Sequence, residues 1–182
     1  MANRPGCKRY GTLERIRGVK QLEFTDFYRS DQAACLRAVL VSVTDRQLAE
    51  DLVAEAFARA WMSWSTVSRH PQPRAWIVRT ALNTRISWWR RRRREVALES
   101  ADEMAGHPAD DSGLDPMLLA ALRQLPRRQR EVIACRVFLD LDTEATGRLL
   151  GIAPGTVTAH LSRAIATLRG LLVTESHREV GP

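Results

Sequence analysis

The chain reverses its charge in a single step. Between Arg69 and Arg94 stand nine arginines and no acid, whereas Glu95 to Asp115 holds seven acids and no lysine or arginine. The acidic stretch "EVALESADEMAGHPADDSGLDP" has no sustained helical period and carries Gly, Pro and Ser, so it reads as a linker between two compact parts. On either side Gly and Pro are sparse and fall mostly at segment ends, and no series of alternating β-branched strands appears. The expected fold class is all-α: two small helical domains joined by an acidic flexible linker.

With 182 residues the chain has enough apolar content for two small cores. A formal net charge of +7 suits a polyanionic partner, nucleic acid or an anionic membrane. No run of eighteen apolar residues exists and the N-terminus "MANRPGCKRYGTLERIRGVK" lacks an apolar signal core. A soluble, cytoplasmic protein without membrane insertion is therefore expected. Cys7, Cys35 and Cys135 are scattered and lack CxxC or Cys/His ligand spacing, which argues against disulfide scaffolding and a zinc site.

In the first compact part, "TDRQLAEDLVAEAFARAWMSW" opens with a Thr44-x-x-Gln47 capping box. Leu48, Leu52, Ala56, Ala60 and Trp64, joined by Val53, Phe57 and Trp61, predict a wide buried stripe. Asp51, Glu55 and Arg59 recur one turn apart on the opposite face, where Glu55 is placed to support Arg59. Two carboxylates without a histidine or third acid make a poor metal site, so this face reads as solvated or protein-docking.

After the polar loop "SWSTVSRHPQPRAW", a helix can begin at Pro73, where a missing amide proton costs nothing. Along it Trp76, Thr80, Asn83 and Ser87 share one side, with Arg79, Arg90 and their neighbours adding charge. Amides, rings and guanidinium groups together suit unpaired bases and their phosphates, although a solvated basic patch has the same composition. A membrane-surface helix fits less well, because the arginines are blocked at one end.

The second part reads as helices separated by tight turns. Gly151 stops the periodic "TEATGRLL", Ile152 supplies the apolar residue usual after such a cap, and Pro154 opens the next helix. There Val157, Leu161, Ile165 and Leu168 form the expected buried stripe, which turns Thr158, Ala159, Ser162 and Arg163 outward with Thr156 and His160 at the flanks. This is a helix-turn-helix pattern, whose second helix can enter a major groove; a small bundle without a ligand is the alternative. No Gly-rich phosphate loop, HExxH or GxSxG appears, so neither an enzyme nor a cofactor is expected, and His70 and His160 read as loop and helix-surface residues.

From about Phe24 to Leu172 the chain resembles the extracytoplasmic-function (ECF) sigma factors of bacterial RNA polymerase. "FTDFYRS" is similar to the family's opening helix and "AEDLVAEAFARAW" to the helix that docks on the clamp of the polymerase largest subunit. "RAWIVRTALNTRISWWRRRR" looks like the helix that melts and reads the −10 promoter element. "LRQLPRRQREVIACRVFLDLDTEATGRLLGIAPGTVTAHLSRA" is similar to the domain that reads the −35 element and sits at the flap of the second-largest subunit.

The resemblance implies a promoter-specificity factor divided into an N-terminal extension (1–20), a sigma-2-like domain (21–95), an acidic linker (96–114), a sigma-4-like domain (115–173) and a tail (174–182). It assigns Asp51, Leu52, Glu55, Phe57 and Arg59 to polymerase, and Arg74, Trp76, Arg79, Asn83, Trp88, Arg90 and Arg91 to the −10 DNA. Thr156, Thr158, His160, Ser162 and Arg163 would meet the −35 DNA. The loop from about Trp64 to Pro73 would capture a flipped base, the arginines would hold phosphates, and the linker would thread polymerase channels. Many relatives are held by an anti-sigma factor, which makes one a candidate partner.

Departures from the family pattern bear on detail. Ser87 stands where the −10 helix commonly has aspartate, and Thr158, Ala159 and His160 replace Lys-Ser-Arg. Gly147 replaces a small residue, usually alanine, at an expected cost of about 1 kcal/mol in helix stability. Two rivals explain part of the chain: a free-standing helix-turn-helix regulator, which leaves the N-terminal half unexplained, and an RNA-binding protein, which leaves the helix-turn-helix unexplained.

Overall fold

A computed structural model describes the backbone of residues 7–95 and 114–178 and the side chains of residues 18–85 and 114–173. The described residues are helical throughout their ordered elements: α1 (Cys7–Val43), α2 (Arg46–Met62), α3 (Trp64–Val67), α4 (Pro73–Glu95), α5 (Pro116–Arg123), α6 (Arg127–Ile133), α7 (Thr143–Leu150) and α8 (Pro154–Arg178). The acidic linker's residues 96–113, like the chain ends, lie outside the described residues.

The junction of α1 and α2 departs from the expected capping box. Thr44 has a left-handed backbone, φ 59°, which ends α1, and its hydroxyl donates to the Val43 carbonyl at 2.7 Å. Asp45, in extended conformation, is the N-cap instead and accepts from the Leu48 amide at 2.9 Å. Gln47 turns to Asp51. A residue that terminates one helix with positive φ cannot also hold the extended geometry an N-cap needs, so the cap moves one position on.

Helix α2 buries Leu52, Val53, Ala56, Phe57 and Ala60 as its pattern predicts, with Ala49 added. Trp61 is the exception, 39% exposed at the rim. Its ring meets Phe24 at 5.1 Å and lies under the Lys20 ammonium at 5.1 Å, so its apolar body is covered from one side only. Trp64 completes the inner cluster against Phe24 and Phe27. Helix α4 starts at Pro73 and packs Ile77, Val78, Ala81 and Leu82 into the same core as Val39, Leu40 and Val41 of α1.

In the C-terminal unit Asp115 caps α5, accepting from Met117 at 2.7 Å, with Pro116 in the first turn. Helix α6 runs into a π-turn over Ala134–Phe138, closed by Leu139 donating to the Ala134 carbonyl at 3.1 Å. Helix α7 is capped by Asp142 and ends at Gly151 with φ 67°, a left-handed conformation that a glycine adopts without steric cost. On α8 the buried stripe is Val157 and Ala164, with Leu161 and Leu168 packed beside them. Ile165 is 37% exposed and leaves the stripe, because positions 157, 161, 164 and 168 follow the 3.6 period more closely than 165 does.

Gly147 also requires revision. A Cβ there would stand 2.8 Å from the Ile152 carbonyl oxygen, a backbone atom whose own position is tied by the Ile152 amide donating to Gly147 at 3.0 Å. The lost helix propensity is thus offset by close approach of the turn. Gly147→Ala should lower stability by about 1–3 kcal/mol, the range for overpacking, instead of raising it, as thermal denaturation of the full chain will show.

The two units do not stand apart. Leu114, Leu119, Leu122, Leu125, Ile133, Ala134 and Ala164 belong to one apolar cluster with the buried faces of α1, α2 and α4. Periodicity gave α2 and most of α8 their inward faces but carries no record of which unit lies against which.

Candidate nucleic-acid interface

Three surfaces hold the residues singled out in the sequence. On α2, Asp51 and Arg59 are exposed and Glu55 is half-buried. Arg59 Nε donates to Glu55 Oε1 at 2.7 Å, and Gln47 donates to Asp51 at 3.3 Å. The result is a short, ordered acidic strip held by its own helix. Leu52 and Phe57 do not join it. They are 0% and 3% exposed and packed in the bundle, beneath the strip and not on its surface. Their place in the apolar stripe was itself legible in the sequence.

On α4, Arg79 and Asn83 are exposed and Trp76 is half-buried against the core. Arg74 ion-pairs with Asp31 of α1, a carboxylate only 7% exposed that also accepts from Ser30 at 2.7 Å. The carboxylate of Asp31, after burial itself, helps push the neighbouring Cys35 thiol up to about 12. Arg74 is thereby anchored in place, its side chain 52% exposed beside α4's first turn. Thr84, 2% exposed, donates back to Thr80 at 2.9 Å, which keeps the hydroxyl satisfied inside the helix packing. Trp88, Arg90 and Arg91 fall on α4, and their side chains lie outside the described residues.

The loop before α4 folds on itself: the Gln72 amide donates to His70 Nδ1 at 3.0 Å. His70, Gln72, Trp76 and Arg79 form one wall of a cleft of about 330 Å³, and Arg148 and Leu149 of α7 form part of the other. Arg148 was not singled out in the sequence. Its only signal there was a basic residue in the last turn of a short helix, which ordinarily serves the helix dipole.

On α8, Thr156, Thr158, Ser162 and Arg163 are exposed along one side. Thr158 donates to the Pro154 carbonyl at 3.3 Å. Ala159 and His160 are half-buried, and His160 Nδ1 is enclosed without a hydrogen-bond partner, so that nitrogen faces the protein and not an approaching groove. Small hydroxyls around one guanidinium can approach base edges and phosphates closely, as a second helix of a helix-turn-helix must. No described helix is long and apolar enough to cross a membrane.

Residues 27–95 match sigma-70 region 2 and residues 116–168 match sigma-70 region 4. The chain is 36% identical over 154 residues to the RNA polymerase sigma-E factor of Streptomyces coelicolor, covering 84% of this chain and 87% of that one. It is 30% identical to the ECF RNA polymerase sigma factor EcfG of Rhodopseudomonas palustris, covering 88% and 93%. Among solved structures, it is similar to the sigma factor RpoE of Bartonella quintana in complex with the anti-sigma factor NepR, with TM-score 0.69 and 27% identity over 82% of this chain and 96% of that one.

Proposed function

Because the chain belongs to the ECF sigma factors, which give RNA polymerase its promoter specificity, we propose a division of labour among its described surfaces. Residues 21–95 dock on polymerase core and open and read the −10 element, and residues 115–173 read the −35 element. The observation that carries this is the separation of an exposed acidic strip on α2 from the polar face of α4 and the hydroxyl-lined face of α8. Asp51, Glu55 and Arg59 are the polymerase contacts. Trp76, Arg79 and Asn83, with the loop around His70, receive the −10 strand. Thr156, Thr158, Ser162 and Arg163 meet the −35 duplex.

Opening DNA here needs no covalent chemistry, and RNA synthesis belongs to the polymerase. Extruding a base costs a few kcal/mol of stacking, which contacts in the loop and along α4 offset. The protein works where polymerase meets promoter DNA, in the cytoplasm. The RpoE complex supports an anti-sigma factor as a further partner.

Gel-filtration co-elution with sigma-free polymerase core, followed by permanganate footprinting of unpaired thymines on a promoter library, tests this reading. Co-elution with new footprints is the expected result. Duplex binding by the chain alone, without association with core, overturns it. Asn83→Ala should erase discrimination among −10 sequences while leaving core binding intact. Arg163→Ala should weaken binding to the −35 element by about 1–3 kcal/mol, read by titrating holoenzyme against promoters with intact and mutated −35 sequences.

A further inference from the structure

The cleft between α4 and α7 combines positive charge, an aromatic ring and apolar lining in one volume. At about 330 Å³ it lies at the lower end of the range for small-molecule pockets, about 300–1,000 Å³, with room for a mononucleotide and little more. One wall is the loop before α4 and the helix's first turns, with His70, Gln72, Trp76 and Arg79; the other carries Arg148 and Leu149 of α7. The buried Ala75 and Ala145 line the same space with apolar surface.

Arg79 and Arg148 are both exposed, and neither makes an ion pair or hydrogen bond among the described residues. No acid lines the cleft between them. Other arginines of this surface are neutralised, Arg59 by Glu55 and Arg74 by Asp31. Two guanidinium groups left unpaired across a gap repel each other, and an anion between them turns that repulsion into two charge-assisted contacts. His70 Nδ1 accepts from the Gln72 amide, so the neutral ring carries its proton on Nε2 and adds a donor to the wall. Trp76, half-buried and held by its packing against the core, supplies a rigid aromatic surface. The first turn of α4 brings the positive end of a helix dipole to the same wall.

We propose that this cleft binds a free nucleotide, its base against Trp76 and its terminal phosphate between Arg79 and Arg148, with His70 donating to a phosphate or ribose oxygen. Neither unit holds the site alone, since Arg148 comes from one and Trp76 and Arg79 from the other. A single strand of DNA shares the chemistry of base and phosphate, and two properties favour the free nucleotide. A terminal phosphate monoester carries about −1.5 to −2 charges at pH 7, against one for each phosphodiester, and so matches a pair of arginines. The volume also holds one nucleotide without its neighbours. Because Trp76 and Arg79 stand on the surface proposed for the −10 strand, bound nucleotide and strand exclude each other.

Isothermal titration calorimetry of the full chain with ADP and GDP, in magnesium-free buffer and without polymerase or DNA, tests the site. Saturable one-to-one binding in the micromolar range is expected, which is what a ligand of about 27 non-hydrogen atoms ordinarily reaches. Arg148→Ala, at an exposed position where truncation leaves the fold intact, should weaken binding by about tenfold or more, and Arg79→Ala likewise. Arg169→Ala, equally exposed but outside the cleft, should bind as the parent does. Adenosine and inorganic phosphate should each bind at least about tenfold more weakly than ADP, because each fills half of the site. Absence of saturable binding, undiminished affinity in Arg148→Ala, or an equal loss in Arg169→Ala overturns the proposal. A deoxyhexanucleotide without a terminal phosphate that binds as tightly as ADP also overturns it and assigns the cleft to a DNA strand. Failure in this titration leaves the sigma-factor reading standing, and failure of the chain to bind core leaves the nucleotide site standing.

Discussion

Replacing Asp51 and Glu55 together by lysine should weaken association with RNA polymerase core by about 100-fold or more while the chain stays folded. A charge-complementary contact that is made like-charged costs several kcal/mol and also loses its steering of encounter. Both side chains lie at the surface of α2: Asp51 is exposed, and Glu55 pairs with Arg59 on its own helix. Breaking that exposed pair removes a few tenths of a kcal/mol, so the melting temperature should stay close to that of the parent. Leu52→Ala, by contrast, should unfold the bundle by about 2–5 kcal/mol, because Leu52 is fully buried. Fluorescence titration against core, alongside thermal denaturation, separates the two. Undiminished core binding by the double lysine variant would remove the acidic strip from the interface.

Glu131→Gln should be the most destabilising polar substitution in the C-terminal unit. The carboxylate is 2% exposed and accepts from Arg127 at 2.7 Å and Arg128 at 2.9 Å. Close by stand Arg130 and Arg85, whose guanidinium groups have lowered pKa values chiefly because burial penalises their charge. Removing the acid that pairs with two of these arginines leaves four arginines at the seam between units, with only the more distant pull of Asp45 on Arg85 to offset them. Breaking a fully buried pair costs about 3–5 kcal/mol; Arg127 and Arg128 are about half exposed here, and water relieves part of that, so about 2–3 kcal/mol is expected. For a chain of this size that is a fall of about 5–10 °C in melting temperature. A melting temperature unchanged within about 1 °C would show that the arginines separate freely on losing their acid.

Much of this protein is legible residue by residue. Pro73, Gly151 and Pro154 announce helix boundaries, because a missing amide proton or a left-handed backbone has few homes in a chain. The α2 core residues Leu52, Val53, Ala56, Phe57 and Ala60 follow from period alone. Reading failed where two local rules competed: Thr44 satisfies a capping motif and also ends the preceding helix, and only the backbone shows which role prevails. Ile165 is a second case: a spacing of four from Leu161 placed it in the buried stripe, and the backbone gives that place to Ala164. The π-turn at Ala134–Phe138 left no trace, since a single extra residue in a helical turn barely disturbs an apolar period.

The sequence by itself determined the helical class, the division by charge and the family, because periodicity, stop residues and motif order are properties of short segments. The tertiary structure alone decided that the two units share one core, that Gly147 makes room for the Ile152 carbonyl, and that Arg148 stands across a cleft from Arg79. Those are relations between segments far apart in the chain, and a helix's pattern states which face it must bury without stating against what.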